Sequence, residues 1–413
     1  MQKGFEIIPA NQPEGPLMGA MPSGVRNLFR AALVIFIITV VIGILNGTDV
    51  WDPPRNTLLT HVHAGTLGWI TLSVFGGAIW MFGSADDRSS NLLANLSTAA
   101  LAIYVLAFWS VDLTTSNIQR PIGGTLAFIA IVWMFVWVLR SHRGKTWTVS
   151  EYGMALALFF LVIGAVLGVA LGLQLADVEI VPAENADSLG EAHPAAMVIG
   201  YVILAGVALI EWLLRGGRTP ALSESRAGVV QMSLIFLAGV LGMLGLLLDN
   251  DVMLQANVPL EVVGLIILLW RLRSYLAASK WGGSVAGTMA RTAVLGLIIG
   301  VALLAYVVSL FVSGAEFEEV APWLLAMDHI NFIMVMTNLI FAMMATASLV
   351  SEAANRLIYW GANIGVLGFA VGILTENATL KRIFTPILGL ALLFGIYTYL
   401  TAKEVTPAEK VTV

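Results

Sequence analysis

The sequence predicts an all-α integral membrane protein of twelve transmembrane helices. Three observations carry that expectation. Of the 413 residues, 58% are hydrophobic and only 11% charged, with a mean hydropathy of +0.88, whereas a soluble domain carries about 25% charged residues. Apolar runs of roughly 20 residues, enough to cross the hydrocarbon core of a bilayer, recur along the whole chain. The Lys and Arg residues, finally, gather at alternate ends of those runs.

The runs lie at roughly 27–48, 57–83, 91–111, 120–140, 150–175, 192–214, 228–248, 258–273, 289–313, 322–348, 354–375 and 379–401. Residues 1–24, with Pro13, Pro16 and Pro22 and no apolar core of signal-peptide type, read as a short cytoplasmic tail, and 25–413 as a single membrane domain. The first run starts beside Arg26 and Arg30, and the second returns to Arg88. The third and fourth lead out and back to Arg140, Arg143 and Lys145. The fifth ends at an acidic loop (Asp177, Glu179, Glu184, Asp187, Glu191), and the sixth returns to Arg215, Arg218 and Arg226. The seventh and eighth come back to Arg271, Arg273 and Lys280. The ninth starts near Arg291 and ends at Glu316, Glu318 and Glu319. The tenth and eleventh flank Arg356, and the twelfth returns to Lys403 and Lys410. Only Arg55, Arg120, Lys381 and Arg382 of the 21 Lys and Arg fall on the other side. The positive-inside rule therefore expects both termini in the cytoplasm and the chain in the cell (inner) membrane. The second and tenth runs are long enough to tilt.

The chain has no cysteine, which excludes disulfides, thiolate metal sites and iron–sulfur clusters. The net charge of −5 is spread over loops, and no basic stripe suggests nucleic acid.

Chemistry concentrates in the histidines. His61 opens HVHAGTLGWITL, His193 opens HPAAMVIGYVIL and His329 opens HINFIMVMTNLI, at the starts of the second, sixth and tenth runs. In the first two, a Gly follows seven residues after the His and is itself followed by an aromatic residue: Gly68-Trp69 and Gly200-Tyr201. A titratable, metal-competent imidazole in an apolar span is a functional hypothesis by default. The spacing of four runs suggests three four-helix units in pseudo-threefold order, each offering a histidine near the outer face. At about 100° per residue, His61, Gly65 and Gly68 share one stripe, with His63 about 200° away. Small residues below an imidazole admit something flat, a neighbouring helix or a porphyrin. Thr60 or Thr66 for His61, and Asp328 for His329, are expected to hold the second ring nitrogen.

The pattern H-x-H-x4-G-[FW] in His61-Val62-His63 through Gly68-Trp69 resembles the heme–copper oxidase subunit I superfamily, in particular its smaller cbb3-like, nitric-oxide-reductase-like and NnrS-type members. That resemblance implies heme b as cofactor, with His61 and His329 as axial ligands and His193, followed by Pro194, in the place of a copper-site histidine. It also implies an electron-donor protein, heme and membrane lipid as partners, and electron transfer or redox chemistry of NO or O2. The chain departs from the family where the seventh run lacks the paired histidines, where the tenth reads His329-Ile330-Asn331, and where Met197 replaces the expected tyrosine. A complete copper site and a proton-pumping pathway are therefore not expected. His63 is read as a ligand to a second heme or metal, a bond to a heme propionate, or an interfacial residue. Arg55 and Arg120 are read as propionate partners or plain surface cations, and His142 as a solvated loop residue. Most of Met327, Met334, Met336, Met343 and Met344 are expected to pack, although Met can also ligate heme, and most of the tryptophans, which include Trp51, Trp69, Trp80 and Trp323, to lie near the membrane interfaces.

Two other classes fit twelve helices. A major-facilitator-type transporter would share the count, and Gly83-x-x-x-Asp87-Arg88 weakly matches that family's loop motif, but such proteins repeat in halves of six. A cofactor-free assembly subunit is the third reading.

Overall fold

The computed structural model describes residues 21–83, 88–109, 118–182, 185–277, 281 and 283–404. The sequence-predicted tail lies almost wholly outside these. Twelve helices are long and apolar enough to cross a membrane: α1 Ser23–Gly47, α2 Arg55–Phe82, α3 Arg88–Trp109, α4 Gln119–Ser141, α5 Val149–Gln174, α6 Ala186–Leu214, α7 Arg226–Leu247, α8 Asp251–Leu276, α9 Val285–Val312, α10 Phe317–Ala347, α11 Glu352–Leu374 and α12 Ala378–Thr401. A two-residue antiparallel pairing of Ser348–Leu349 (β1) with Lys403–Glu404 (β2) joins the α10–α11 link to the end of α12.

The twelve helices are not equivalent. In α2, α6 and α10, 78%, 83% and 78% of the most apolar stretch is buried within the protein, against 33–50% in the other nine. Those three form the interior, and the others present large apolar side chains such as Leu106, Ile266 and Leu390 outward, as a lipid-facing surface does.

Each interior helix also breaks its α-helical ladder. Ala64–Thr71, Ala196–Val202 and Ile330–Thr337 run as π-helix, a wider turn closed by i→i+5 bonds that is rare in proteins and common at functional sites. Side chains mark the shift. The hydroxyl of Thr71 donates to the carbonyl of Thr66 (2.9 Å), and that of Thr337 to Phe332 (2.8 Å), each five residues back.

Within the π turns the interior helices are joined by polar contacts in a setting where polar side chains act as glue. The Trp69 indole N–H donates to the Thr337 hydroxyl at 2.9 Å, and the Tyr201 hydroxyl to that of Thr71 at 3.3 Å. Trp69 is 1% exposed and stacked on Phe36 at 4.4 Å. It is a core residue, not the interfacial one expected, because its one polar atom finds a partner in the interior. Asn338 and Asn363 exchange two amide bonds of 2.8 and 3.1 Å between α10 and α11.

Two boundaries differ from the sequence reading in ways that matter. Helix α8 starts at Asp251, where the Asn250 side chain accepts the Met253 N–H at 3.0 Å as an N-cap, an interaction worth about 1 kcal/mol. Glu261 is therefore well inside the helix, about 15 Å from its start at 1.5 Å per residue, and not near an end. His142 is the other correction. It is 3% exposed, packed on Trp147 at 4.2 Å and edge-on to Phe82 at 5.6 Å, with Nδ1 3.7 Å from a Glu151 oxygen. The charged RSHRGK stretch hides this burial because the covering rings come from other segments.

Lys381 and Arg382, two of the four cations on the sparsely basic side, have a structural use. Lys381 Nζ and Arg382 Nε reach the Asp49 carboxylate at 2.6 and 2.9 Å, tying the α1–α2 link to α12. These donors hold the Asp49 carboxyl below its ordinary value. A group whose folded pKa is depressed stabilises above its unfolded pKa and loses that contribution as pH falls through the folded one. The melting difference between the native chain and Asp49→Asn is expected to be present at pH 7 and to shrink below about pH 4. A difference constant from pH 7 to pH 3 would show that the ion pairs contribute nothing.

Candidate functional site

A cavity of about 660 Å³ opens among the halves of α2, α6 and α10 that precede and enter the π turns, within the range of small-molecule and cofactor sites. Four of the five histidines line it: His61, His63, His193 and His329. It extends to both sides of α2. On one side stand Phe36, Thr39 and Gly43 of α1, Phe332 of α10 and Phe369 of α11. On the other stand Phe108 of α3, Arg120 of α4 and Gly168 of α5.

All four imidazoles are held in the same chemical form. Nδ1 of His61 meets the carbonyl of Thr39 at 2.8 Å, and that of His193 the carbonyl of Gly164 at 2.9 Å; both acceptors belong to the preceding helix. Nδ1 of His63 meets the Leu59 carbonyl at 2.7 Å and that of His329 the Leu325 carbonyl at 2.8 Å, each four residues back in its own helix. A carbonyl only accepts, so every Nδ1 carries the proton as donor, and in the neutral ring that an apolar interior favours every Nε2 keeps its lone pair. No group among the described residues bonds to any of these Nε2 atoms. Neutral imidazole with Nδ1–H on a backbone carbonyl is the usual orientation of a metal-ligating histidine.

The expected second-nitrogen partners are therefore wrong. Thr60 and Thr66 turn their hydroxyls to the Asn56 and Val62 carbonyls, and Leu325, not Asp328, holds His329. Backbone carbonyls of a packed helix have no sequence signature.

The glycines serve packing. A Cβ on Gly65 would touch Thr39 at 3.2 Å and one on Gly68 would strike Ile35, so the neighbour they admit is α1. Gly65 also borders the cavity. Gly43 and Gly168 were not singled out in the sequence, yet each lies under an imidazole. A Cβ there would stand 3.0 Å from Cε1 of His61 and 2.8 Å from Cε1 of His193.

His61, against Thr39 and Gly43, and His329, against Phe369, line one side of the cavity, while His63, against Phe108, and His193, against Gly168, line the other. Among the described residues no three His, Asp or Glu converge as a metal cluster. The histidines thus come as pairs. No protein-family model and no curated protein matches this chain.

Arg55 and Arg120 also line the cavity. Arg120 is 2% exposed, with its guanidinium 4.9 Å from the Phe108 ring centre and, among the described residues, no hydrogen-bond partner for Nε or Nη2. A desolvated cation is costly unless it is paired, so the space this one faces favours a negatively charged group. Three further polar side chains are 0–1% exposed with no hydrogen-bond partner among the described residues: Asn257 and Glu261 of α8 and Asn331 of α10.

Proposed function

We propose that this chain is a heme-binding integral membrane protein, with His61 of α2 and His329 of α10 as the two axial nitrogens of a heme b iron. The observation that carries the reading is the pair itself. Two neutral imidazoles from different interior helices flank one cavity, with Nδ1 of each fixed on a carbonyl and Nε2 of each free. Iron in a porphyrin needs only two protein ligands, which suits histidines that come in twos. The donor set does not suit a copper centre built on three imidazoles, and the proposal includes none.

The twelve helices are read as three four-helix units about α2, α6 and α10, with both termini on the cytoplasmic side of the cell (inner) membrane, supported by their greater burial and by the distribution of Lys and Arg. Bound there, heme would supply one-electron chemistry and, with one imidazole released, a coordination position for NO or O2. The chain's own residues would hold the two rings, exclude bulk water with Phe36, Phe332 and Phe369, and offer Arg55 to a propionate. The proposed role is electron transfer or a redox function toward a diatomic gas, fed by an electron-donor protein.

Protein purified from heme-replete cells is expected to show a Soret band that shifts on dithionite reduction. His61→Ala and His329→Ala are each expected to remove or convert a six-coordinate low-spin spectrum. Colourless protein would sink the reading.

A further inference from the structure

The interior helices can be aligned by their backbones instead of by their histidines. The π turns open at Ala64, Ala196 and Ile330. His61 and His193 each stand three residues before the opening, while His63 and His329 each stand immediately before it. The counterpart of His329 is therefore His63, not His61 as the sequence repeat suggests. The threonines agree: Thr71 and Thr337 occupy the same place in their π turns and make the same bond five residues back.

The surroundings repeat in the same register. His61 and His193 reach a carbonyl of the preceding helix, Thr39 or Gly164, and lie against a glycine four residues further along it, Gly43 or Gly168. His63 and His329 bond four residues back in their own helix, and each lies against a phenylalanine of the following helix. Phe108 stacks on His63 at 4.0 Å, and Phe369 meets His329 at 4.7 Å. Each neighbouring pair, His329 with His61 and His63 with His193, thus combines one imidazole of each kind. The second pair is the first carried on by one helix unit.

We propose that His63 and His193 are the axial pair of a second iron-porphyrin site, between α2 and α6, with Arg120 taking a propionate. The proposal rests on the heme reading for the identity of the ligand and goes beyond it in number. Arg120 supports it independently: a buried guanidinium beside Phe108, with Nε and Nη2 unpaired among the described residues, is what the carboxylate edge of a porphyrin requires. The third equivalent position, between α6 and α10, explains why the number is two. There the counterparts of the two imidazoles are Ala195 and Met327, and both belong to one closed apolar cluster with Val198, Ile199 and Leu304.

The test is heme per polypeptide, measured as pyridine hemochromogen on the purified full chain, with iron, copper and zinc measured alongside. Two hemes are expected in the native chain and one in His63→Ala, in His193→Ala and in His61→Ala. Because an alanine variant can lose heme by misfolding, His63→Met is the second arm. It is expected to keep both hemes and raise the midpoint potential of one, since Met/His ligation raises it. Arg120→Gln is expected to shift one midpoint and leave the other. A single heme whose amount His63→Ala and His193→Ala do not change overturns the proposal, as does loss of copper or zinc instead of heme from those variants. If His61→Ala and His329→Ala leave the count intact while the other pair lowers it, the first assignment fails and the second stands. Protein without heme overturns both.

Discussion

Glu211→Gln is expected to destabilise the fold by about 3–5 kcal/mol, the usual effect of leaving a buried charge uncompensated. Glu211 is 0% exposed near the end of α6. Its oxygens accept from Arg271 Nη1 and Nη2 of α8 at 2.8 and 2.5 Å, and Arg215 Nε lies 3.2 Å away as an ion pair. Arg271 also donates to Gln231 of α7 at 2.6 Å, so the Glu211–Arg271 pair ties together three helices. Glutamine keeps the shape and removes the charge, leaving a guanidinium that is 4% exposed in its place. The double change Glu211→Leu with Arg271→Leu removes both charges and is expected to recover much of the loss, because replacing a whole buried pair is far milder than halving it. Thermal unfolding in detergent, followed by tryptophan fluorescence, compares them. A double variant no more stable than the single one would show that packing, not charge, dominates there.

Gly239→Val is expected to cost about 1–3 kcal/mol or more by overpacking. A Cβ on Gly239 of α7 would lie 2.7 Å from the Cα of Gly200 and 3.0 Å from the Phe160 ring. Here α6 and α7 meet backbone to backbone, within the π turn of α6, and neither Gly200 nor Phe160 can retreat from the core. Gly190→Ala is the control, since a Cβ there meets nothing within 4 Å. In a helix it is expected to be neutral or slightly stabilising. Equal losses from the two would mean that the close approach is not what matters.

The helices were legible because a bilayer demands uninterrupted apolar stretches, and such stretches show in any hydropathy reading. The start of α8 was not, since Asp251, Gln255, Asn257 and Glu261 lower its hydropathy while Asn250 caps it all the same. The importance of the second, sixth and tenth helices was legible in their histidines. Their true register was not. His61 and His329 look alike in sequence because each opens its run, yet counted from the π-turn openings the two helices are offset by a two-residue slip that makes His63 the match of His329. That slip leaves no trace in composition. The carbonyls of Thr39 and Gly164 were equally invisible, being atoms that every residue has. Arg120 was legible as one of the few cations at the sparsely basic helix ends, but its burial beside Phe108 was not.

The three π turns also act as phase shifters. An added residue in a helix rotates everything beyond it by about 100° against everything before. Each interior helix thus carries two faces whose aims are set separately, one for the aromatic and threonine floor and one for the imidazoles. Because all three helices shift at the same level, ligand-bearing halves can be re-aimed without repacking the halves beneath. Such a bundle can gain, lose or move an axial ligand in one unit while the remaining two keep theirs.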